Sequence, residues 1–433
     1  MEREFKDSGI EWIGRIPKEW KTCKLNYVYR FQTGATPPTN NESFFDGDYK
    51  WASIADLKSK TIYDTTKRLS KAGVEKCSMI ISPKGSLMYS FKLSVGTVSF
   101  CGDDMYTNEA IATFLEGYGF LPFLYYMAPF AIIHNANYNI YGAPILNQEL
   151  IKGATIIVPP LPEQQRIADY LDKKCGEIDE LIALQEQMIA QLTDYKQSVI
   201  TEAVTKGLNP DAELVPSGID WIGDVPKEWK IVPLRYIGRT QNGISQSGDY
   251  FGEGFPFVSY SDVYKNYSLP SIFNGLAKSS KQDQKLFSVL EGDVFFTRTS
   301  ETIDEIGFSS VCLQTVEKAV FAGFLIRFRP YKNKIDKNFS KYYFRSNIHR
   351  AYFVKEMNLV TRASLSQELL KSLPVLLPPL SEQQSIATNL DTKCSEIDSL
   401  IAIKQQKIET LKDYKKSVIY EAVTGKMSIG ETP

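Results

Sequence analysis

The strongest constraint on this chain is that it is written twice. Ser8-Gly9-Ile10-Glu11-Trp12-Ile13-Gly14 returns 209 residues later as Ser217-Gly218-Ile219-Asp220-Trp221-Ile222-Gly223. Both copies run on to Pro-Lys-Glu-Trp, at Pro17 to Trp20 and Pro226 to Trp229, and ten of the thirteen positions from Ser8 to Trp20 are identical. A second repeat pairs Pro160-Leu161-Pro162-Glu163-Gln164-Gln165 with Pro379-Leu380-Ser381-Glu382-Gln383-Gln384, and from Pro160 to Thr205 30 of 46 positions agree with their partners. The segments between these repeats barely resemble each other, and the second is ten residues longer. Duplicated frames around divergent inserts predict a pseudo-symmetric scaffold that presents two different working surfaces.

The repeated frame reads as a long helix. Pro162 stands at its start, where a missing N–H costs nothing, and from Glu163 to Thr205 there is no proline and one glycine, Gly176. Heptad spacing runs through Ile178, Leu192 and Val199, with Leu181, Met188 and Tyr195 on a neighbouring seam. The second copy keeps Ile397, Leu411 and Val418, together with Leu400 and Tyr414. Gln185 and Lys404 interrupt a seam, a device that fixes register. A helix of about 40 residues is roughly 60 Å long, well beyond the usual length of about 10–14 residues. Two such helices most simply pack as an antiparallel coiled coil; the alternative is that each docks only on its own domain. Cys175 and Cys394, at equivalent positions, read as buried seam thiols rather than a redox or metal pair.

The 433 residues allow two to four domains, and 43% hydrophobic with 23% charged residues is globular composition. Fifty basic against 51 acidic residues looks neutral, but the charge is sorted. Residues 18–158 carry a net +2, residues 227–378 a net +7, and the rest −10. Basic inserts suit phosphate contact and an acidic frame suits protein partners. The most apolar stretch, Gly119 to Ile133, is broken by Pro122 and Pro129 and too short to span a bilayer. No membrane is therefore expected as a partner. The first residues form no apolar signal region, and six scattered cysteines without a C-x-x-C pair fit a reduced, cytoplasmic setting. With only His134 and His349, histidine-rich metal chemistry is not expected.

There is no G-x-x-x-x-G-K-[ST] phosphate loop, no glycine-rich dinucleotide fingerprint and no N/D-P-P-Y/F motif of amino methylation. Pro210-Asp211-Ala212-Glu213 has the outline of a nuclease carboxylate pair but lacks the following lysine. The balance is binding rather than catalysis. Each insert reads as an α/β module of short strands, turns and some helix. Gly85 to Ser90 predicts a turn feeding a strand that emerges into Phe91-Lys92, and Gly292 to Thr297 does the same into Arg298-Thr299-Ser300. Hydroxyls and cations at a strand end can bond base edges or phosphates, although solvated loops also carry such residues. The candidate DNA-binding residues are Thr36, Lys58, Lys60, Arg68, Ser90, Lys92 and Asn108 in the first insert. In the second they are Tyr260, Ser261, Lys281, Arg298, Thr299, Ser300 and Arg362. Asn137, Asn139 and Tyr141 add a polar and aromatic loop before the first long helix.

These motifs together resemble the specificity subunit of type I restriction-modification enzymes, over essentially the whole chain. They are the two Ser-Gly-Ile-x-Trp-Ile-Gly segments with Pro-x-x-Trp, the two Pro-Pro-Leu-x-Glu-Gln-Gln helix starts, and the helix ends at Ile200 to Thr205 and Ile419 to Thr424. Within the inserts, Thr33-Gly34-Ala35-Thr36-Pro37, Thr107 to Ala112 and Gly292 to Thr297 look like recognition-domain patterns, with Asn242-Gly243-Ile244-Ser245 in place of a second Thr-Gly-x-Thr-Pro. The resemblance implies two α/β target-recognition domains, residues 21–159 and 230–378, joined by two long antiparallel coiled-coil helices. These helices lie in residues 160–216 and 379–433, and short repeated segments, 1–20 and 217–229, precede the inserts. It implies that each domain reads one half of a bipartite, asymmetric double-stranded DNA site, with the helices setting the gap. Half-sites one helical turn apart are about 34–36 Å from each other, within such a helix's length. Two methyltransferase subunits and two restriction subunits would join this non-catalytic chain, and S-adenosylmethionine, ATP and magnesium would belong to them. The competing readings are a fused enzyme with a hidden catalytic site and a pure assembly scaffold.

Overall fold

The computed structural model describes residues 3–300, 306–349, 352–353 and 363–430. The chain forms two compact units, Met1–Gln185 with Gln406–Pro433, and Glu186–Gln405. Both divisions fall inside a long helix, Leu161–Lys206 or Leu380–Val423. Each unit therefore owns one insert and one half of each helix.

In the first unit the insert leaves and returns on one antiparallel ladder, Lys21–Lys24 against Thr155–Val158, directly before the helix. Its main sheet has five strands in the order Phe31–Thr33, Ile111–Phe114, Leu87–Ser90, Val98–Cys101, Thr61–Ile62. Side chains alternate across this sheet as the strand period of two requires. Leu87, Tyr89, Ala112 and Phe114 join a cluster with the helix Leu121–Ala131, while Met88 and Ile111 face a smaller one with Ala52 and Leu57. A second sheet holds Tyr106–Thr107, Tyr49–Ala52 and Lys67–Leu69.

The second unit repeats this plan with different residues. Lys230–Pro233 pairs with Pro374–Leu377. Four strands follow the order Gly238–Asn242, Leu325–Pro330, Val294–Thr297, Ser309–Val311, and three more the order Leu276–Ala277, Phe251–Val258, Val320–Phe321. Val294, Phe296, Ile326 and Phe328 pack with the helix Lys337–Tyr343, while Phe295 and Leu325 face the other side. The expected α/β fold with two recognition modules on a duplicated helical frame is what the chain adopts.

The repeated motifs explain themselves at the helix junctions. In the first unit Glu163, in the first turn of its helix, accepts from the indole Nε1 of fully buried Trp20 at 2.7 Å. The end of the other long helix reaches the same tryptophan: a Cβ on Gly425 would lie 2.9 Å from the Trp20 ring. In the second unit Trp229 donates to Glu382 at 3.0 Å, and a Cβ on Gly207 would lie 2.8 Å from Glu382 and 3.3 Å from the Trp229 ring. One helix thus starts where the other stops, which makes the pair antiparallel within each unit. Gly207 and Gly425, at φ +76° and +71°, end the helices in a left-handed conformation that glycine adopts without strain. Gln164 and Gln383 each donate to a proline carbonyl just ahead of the helix, Pro159 at 2.7 Å and Pro378 at 2.8 Å. Between the helices, Lys415 pairs with Asp179 in the first unit and Lys196 with Asp398 in the second, both at 2.7 Å.

The seam differs in one respect from the heptad reading. Ile178, Gln185, Ile397 and Val418 are buried as expected, but Leu181, Tyr195, Leu400 and Tyr414 are exposed, at 44–57%. Ile182, Ile189, Ile401 and Ile408 take the inner positions instead. The inward step after Ile178 is four residues and not three, and at about 3.6 residues per turn either step returns to nearly the same face. Cys175 and Cys394 are buried free thiols, and burial raises both above the usual thiol range. Among the described residues no helix is long and apolar enough to cross a membrane.

Candidate nucleic-acid interface

The two inserts bring their sequence-matched strands to the same kind of place. Gly85 and Gly292 both turn the chain at φ +86° into the central strand. At the far end of that strand, Phe91 N donates to Ala110 O and Arg298 N to Phe324 O, at 3.0 and 2.9 Å. The neighbouring chain crosses over there, with Ala35 N bonding Thr107 O and Ile244 N bonding Phe321 O. Only glycine permits the crossing. A Cβ on Gly34 would fall 1.7 Å from the Thr107 carbonyl oxygen, and one on Gly243 2.1 Å from that of Ala322. Asn242-Gly243-Ile244-Ser245 therefore repeats the backbone path of Thr33-Gly34-Ala35-Thr36 without its sequence.

The side chains at these equivalent strand ends differ. In the first unit Thr36 Oγ1 donates to Glu109, whose carboxylate also lies 3.8 Å from the Lys92 ammonium. Burial pushes this carboxyl up, but the Thr36 hydrogen bond and the Lys92 charge outweigh it and hold it below the usual range. Asn108, beside it, turns its Oδ1 onto the Ala110 N–H at 3.1 Å. In the second unit Gly323 takes the place of Glu109, and Arg298 takes that of Phe91. The Arg298 Nε is buried and has no hydrogen-bond partner among the described residues, while Phe324 beside it is 64% exposed. Thr299 and Ser300 form a short strand with Ala363–Ser364.

The remaining sequence candidates scatter. Lys58, Ser261 and Lys281 are exposed. Tyr260 is half-buried and stacks on Tyr264. Arg68 is held by Asp64 at 2.7 Å and the Asp48 carbonyl at 3.1 Å. Ser90 is fully buried and donates to the Leu93 carbonyl, so it shapes the loop from inside. Lys60 is bound to Asp172 on the long helix and lies over Tyr125 and Tyr126. Arg362 and the Ser300 side chain lie outside the described residues. The loop of Asn137, Asn139 and Tyr141 is a hairpin whose Asn139 Oδ1 accepts from Tyr141 N and Ala143 N at 2.9 Å, leaving Tyr141 87% and Ile140 91% exposed.

Part of the basic excess of the second insert is internal. Arg329 makes a two-pronged bond to fully buried Asp293, each arm 2.6 Å. Arg327 bonds the Ser288 carbonyl at 2.6 Å, and burial with its neighbour Arg329 pushes it down to about 10. Arg345 holds three backbone carbonyls. These cations brace the fold through internal bonds. Glu109 is the residue that sequence reasoning passed over as a contact; its signal was a place inside the Thr107 to Ala112 pattern, just after a strand. Among the described residues no three His, Cys, Asp or Glu side chains gather to hold a metal ion.

The model of the type I restriction modification DNA specificity domain matches the chain twice, over residues 17–194 and 226–413. The type I restriction enzyme MjaIX specificity subunit of Methanocaldococcus jannaschii is 27% identical over 325 residues, 70% of this chain and 71% of that one. The putative MjaX specificity subunit of the same organism is 24% identical over 448 residues, 99% and 97% of the two chains. A solved chain described under complex assembly and conformational transition of the type I R-M system superposes with a TM-score of 0.70 at 17% identity, covering 95% of this chain and 99% of that one.

Proposed function

Because the chain belongs to the type I restriction-modification DNA specificity family, we propose that it is the non-catalytic reader of such a complex. Each insert reads one half of a split, asymmetric DNA site, and the long helices set the unspecified gap. The observation that carries this reading is the pair of equivalent strand ends, alike in backbone and unlike in side chains: a carboxylate beside an ammonium at one, an arginine at the other. A carboxylate accepts from cytosine N4, whereas arginine donates to guanine O6 and N7, so one architecture presents two unlike half-sites.

The frame supports the rest of the assembly. Leu181 and Leu400, Leu184 and Ile403, and Tyr195 and Tyr414 are exposed apolar pairs at equivalent helix positions. A surface that occurs twice suits two copies of one partner, here two methyltransferase subunits, with two restriction subunits joining them. S-adenosylmethionine, ATP and magnesium are assigned to those partners, and the setting is the cytoplasm.

The test is methyl transfer by the purified chain alone and with its methyltransferase partner. Adenine methylation at one split site is expected only in the complex, and DNA affinity should fall steeply with added salt. Methyl transfer by the lone chain would overturn the non-catalytic assignment.

A further inference from the structure

A second repeated constellation lies away from the strand ends. Asp172 and Asp391 occupy equivalent positions on the two long helices. In the first unit Asp172 accepts from the Tyr126 hydroxyl and from the Lys60 ammonium. In the second, Asp391 accepts from the Tyr342 hydroxyl at 2.7 Å and from the Lys341 ammonium.

The tyrosines correspond. Each stands three residues after a buried phenylalanine, Phe123 or Phe339, on the insert helix that packs with the long one. The lysines do not correspond. Lys341 directly precedes Tyr342, and the first unit has Tyr125 at that place. Its ammonium comes instead from Lys60, on a loop between strands, 5.4 Å from the Tyr125 ring. Two inserts that differ almost everywhere thus deliver the same hydroxyl and the same cation to the same carboxylate by different routes.

Apolar packing already docks each insert on its helix, through Met127 with Leu171 in one cluster and Tyr343 with Leu390 in the other. Such contact is non-directional. Hydrogen bonds weaken steeply off axis, so the polar cluster adds an angular constraint that the core lacks. Burial and the neighbouring aspartate raise both tyrosine hydroxyls well above their ordinary range, which keeps them protonated as donors.

We propose that Asp172 and Asp391 are positioning residues: each fixes the orientation of its insert on the long helix and so sets the spacing and phase at which the two half-sites are accepted together. This rests on the specificity reading above. One added base pair turns a half-site by about 34°, since a turn holds about 10.5 base pairs, so an angular lock should be felt as spacer selectivity.

The experiment is methylation by the complete complex on a DNA pool carrying the split site with its natural gap and with gaps one base pair shorter and longer. Asp172→Asn and Asp391→Asn keep the volume and remove the charge. Either should reduce the preference for the natural gap over its neighbours by about tenfold, at 1.4 kcal/mol per factor of ten, with the bases chosen in both halves unaltered. Tyr126→Phe and Tyr342→Phe, which lose one oxygen each, should act in the same direction more weakly and serve if an Asn variant does not fold. Variants that methylate with unchanged gap preference, even if less stable, would overturn the positioning role while leaving the specificity reading intact. A wild-type complex that methylates no split site would overturn both.

Discussion

Trp20 and Trp229 sit in nearly the same surroundings, whereas Glu109 and Gly323 do not, although both pairs occupy equivalent places in their units. The difference is one of enclosure. At the helix junctions each polar group meets a partner in a closed setting: indole to carboxylate, glutamine to proline carbonyl. Changing one member strands another, and a buried polar group without its bond costs about 1–3 kcal/mol. At the strand ends the crossing glycine is common to both units, but the side chains around it are not: Thr36, Glu109 and Lys92 hold one another at one end, and Arg298 stands at the other. The chain is therefore alike where it must close on itself and unlike where it must meet something else.

Exchanging residues 21–159 for a different insert on the same frame should have the largest effect on this contrast. One half of the methylated site should change completely and the other should not, as read by sequencing modified adenines; a change in both halves would break the separation of frame from reader. Trp20→Ala and Trp229→Ala should each destabilise their unit by about 3–5 kcal/mol, followed by urea unfolding. Similar losses are expected because the settings match, and a loss confined to one would show that the junctions are not equivalent.

At the strand ends, Arg298→Ala should relax base choice in one half-site, with a loss of about 1–3 kcal/mol of discrimination, and Glu109→Gln should do so in the other half. Uniform weakening on every sequence would instead mark a phosphate contact. A smaller, pH-dependent difference separates the units. Burial holds the His349 imidazole down to about 3, against about 6.5 in an unfolded chain. Its native pKa lies below its unfolded one, so the unfolded chain binds the extra proton and stability is lost as pH falls from 6.5 towards 3. Between pH 7 and 5 the second unit should lose up to about 2 kcal/mol at this site. His349→Phe should remove that part of the slope in urea midpoints.

The helices and their duplication were legible because periodicity and repetition are local properties of a string. The ambiguity that placed Leu181 and Tyr195 inward arose because steps of three and four residues both approximate one turn. What the motifs do was not legible: Trp20 and Glu163 are 143 positions apart, and nothing nearby in sequence announces their bond. The same distance effect misled the reading of single cations. Lys60 on a loop looks free until the fold brings Asp172 to it, and Arg327, Arg329 and Arg345 count toward a basic insert while serving its interior. Ser90 was matched correctly as a strand end, yet its hydroxyl turns inward. Charge totals locate a basic module; they do not say which charges face outward.

Two unlike readers on one duplicated frame should leave a distinctive mark on the host genome. That mark is read by sequencing the methylated adenines of a host that expresses this chain with its methyltransferase partner. The expected result is a single recognition sequence made of two different halves separated by a gap of fixed length and free composition. A palindrome, or one uninterrupted sequence, would contradict it.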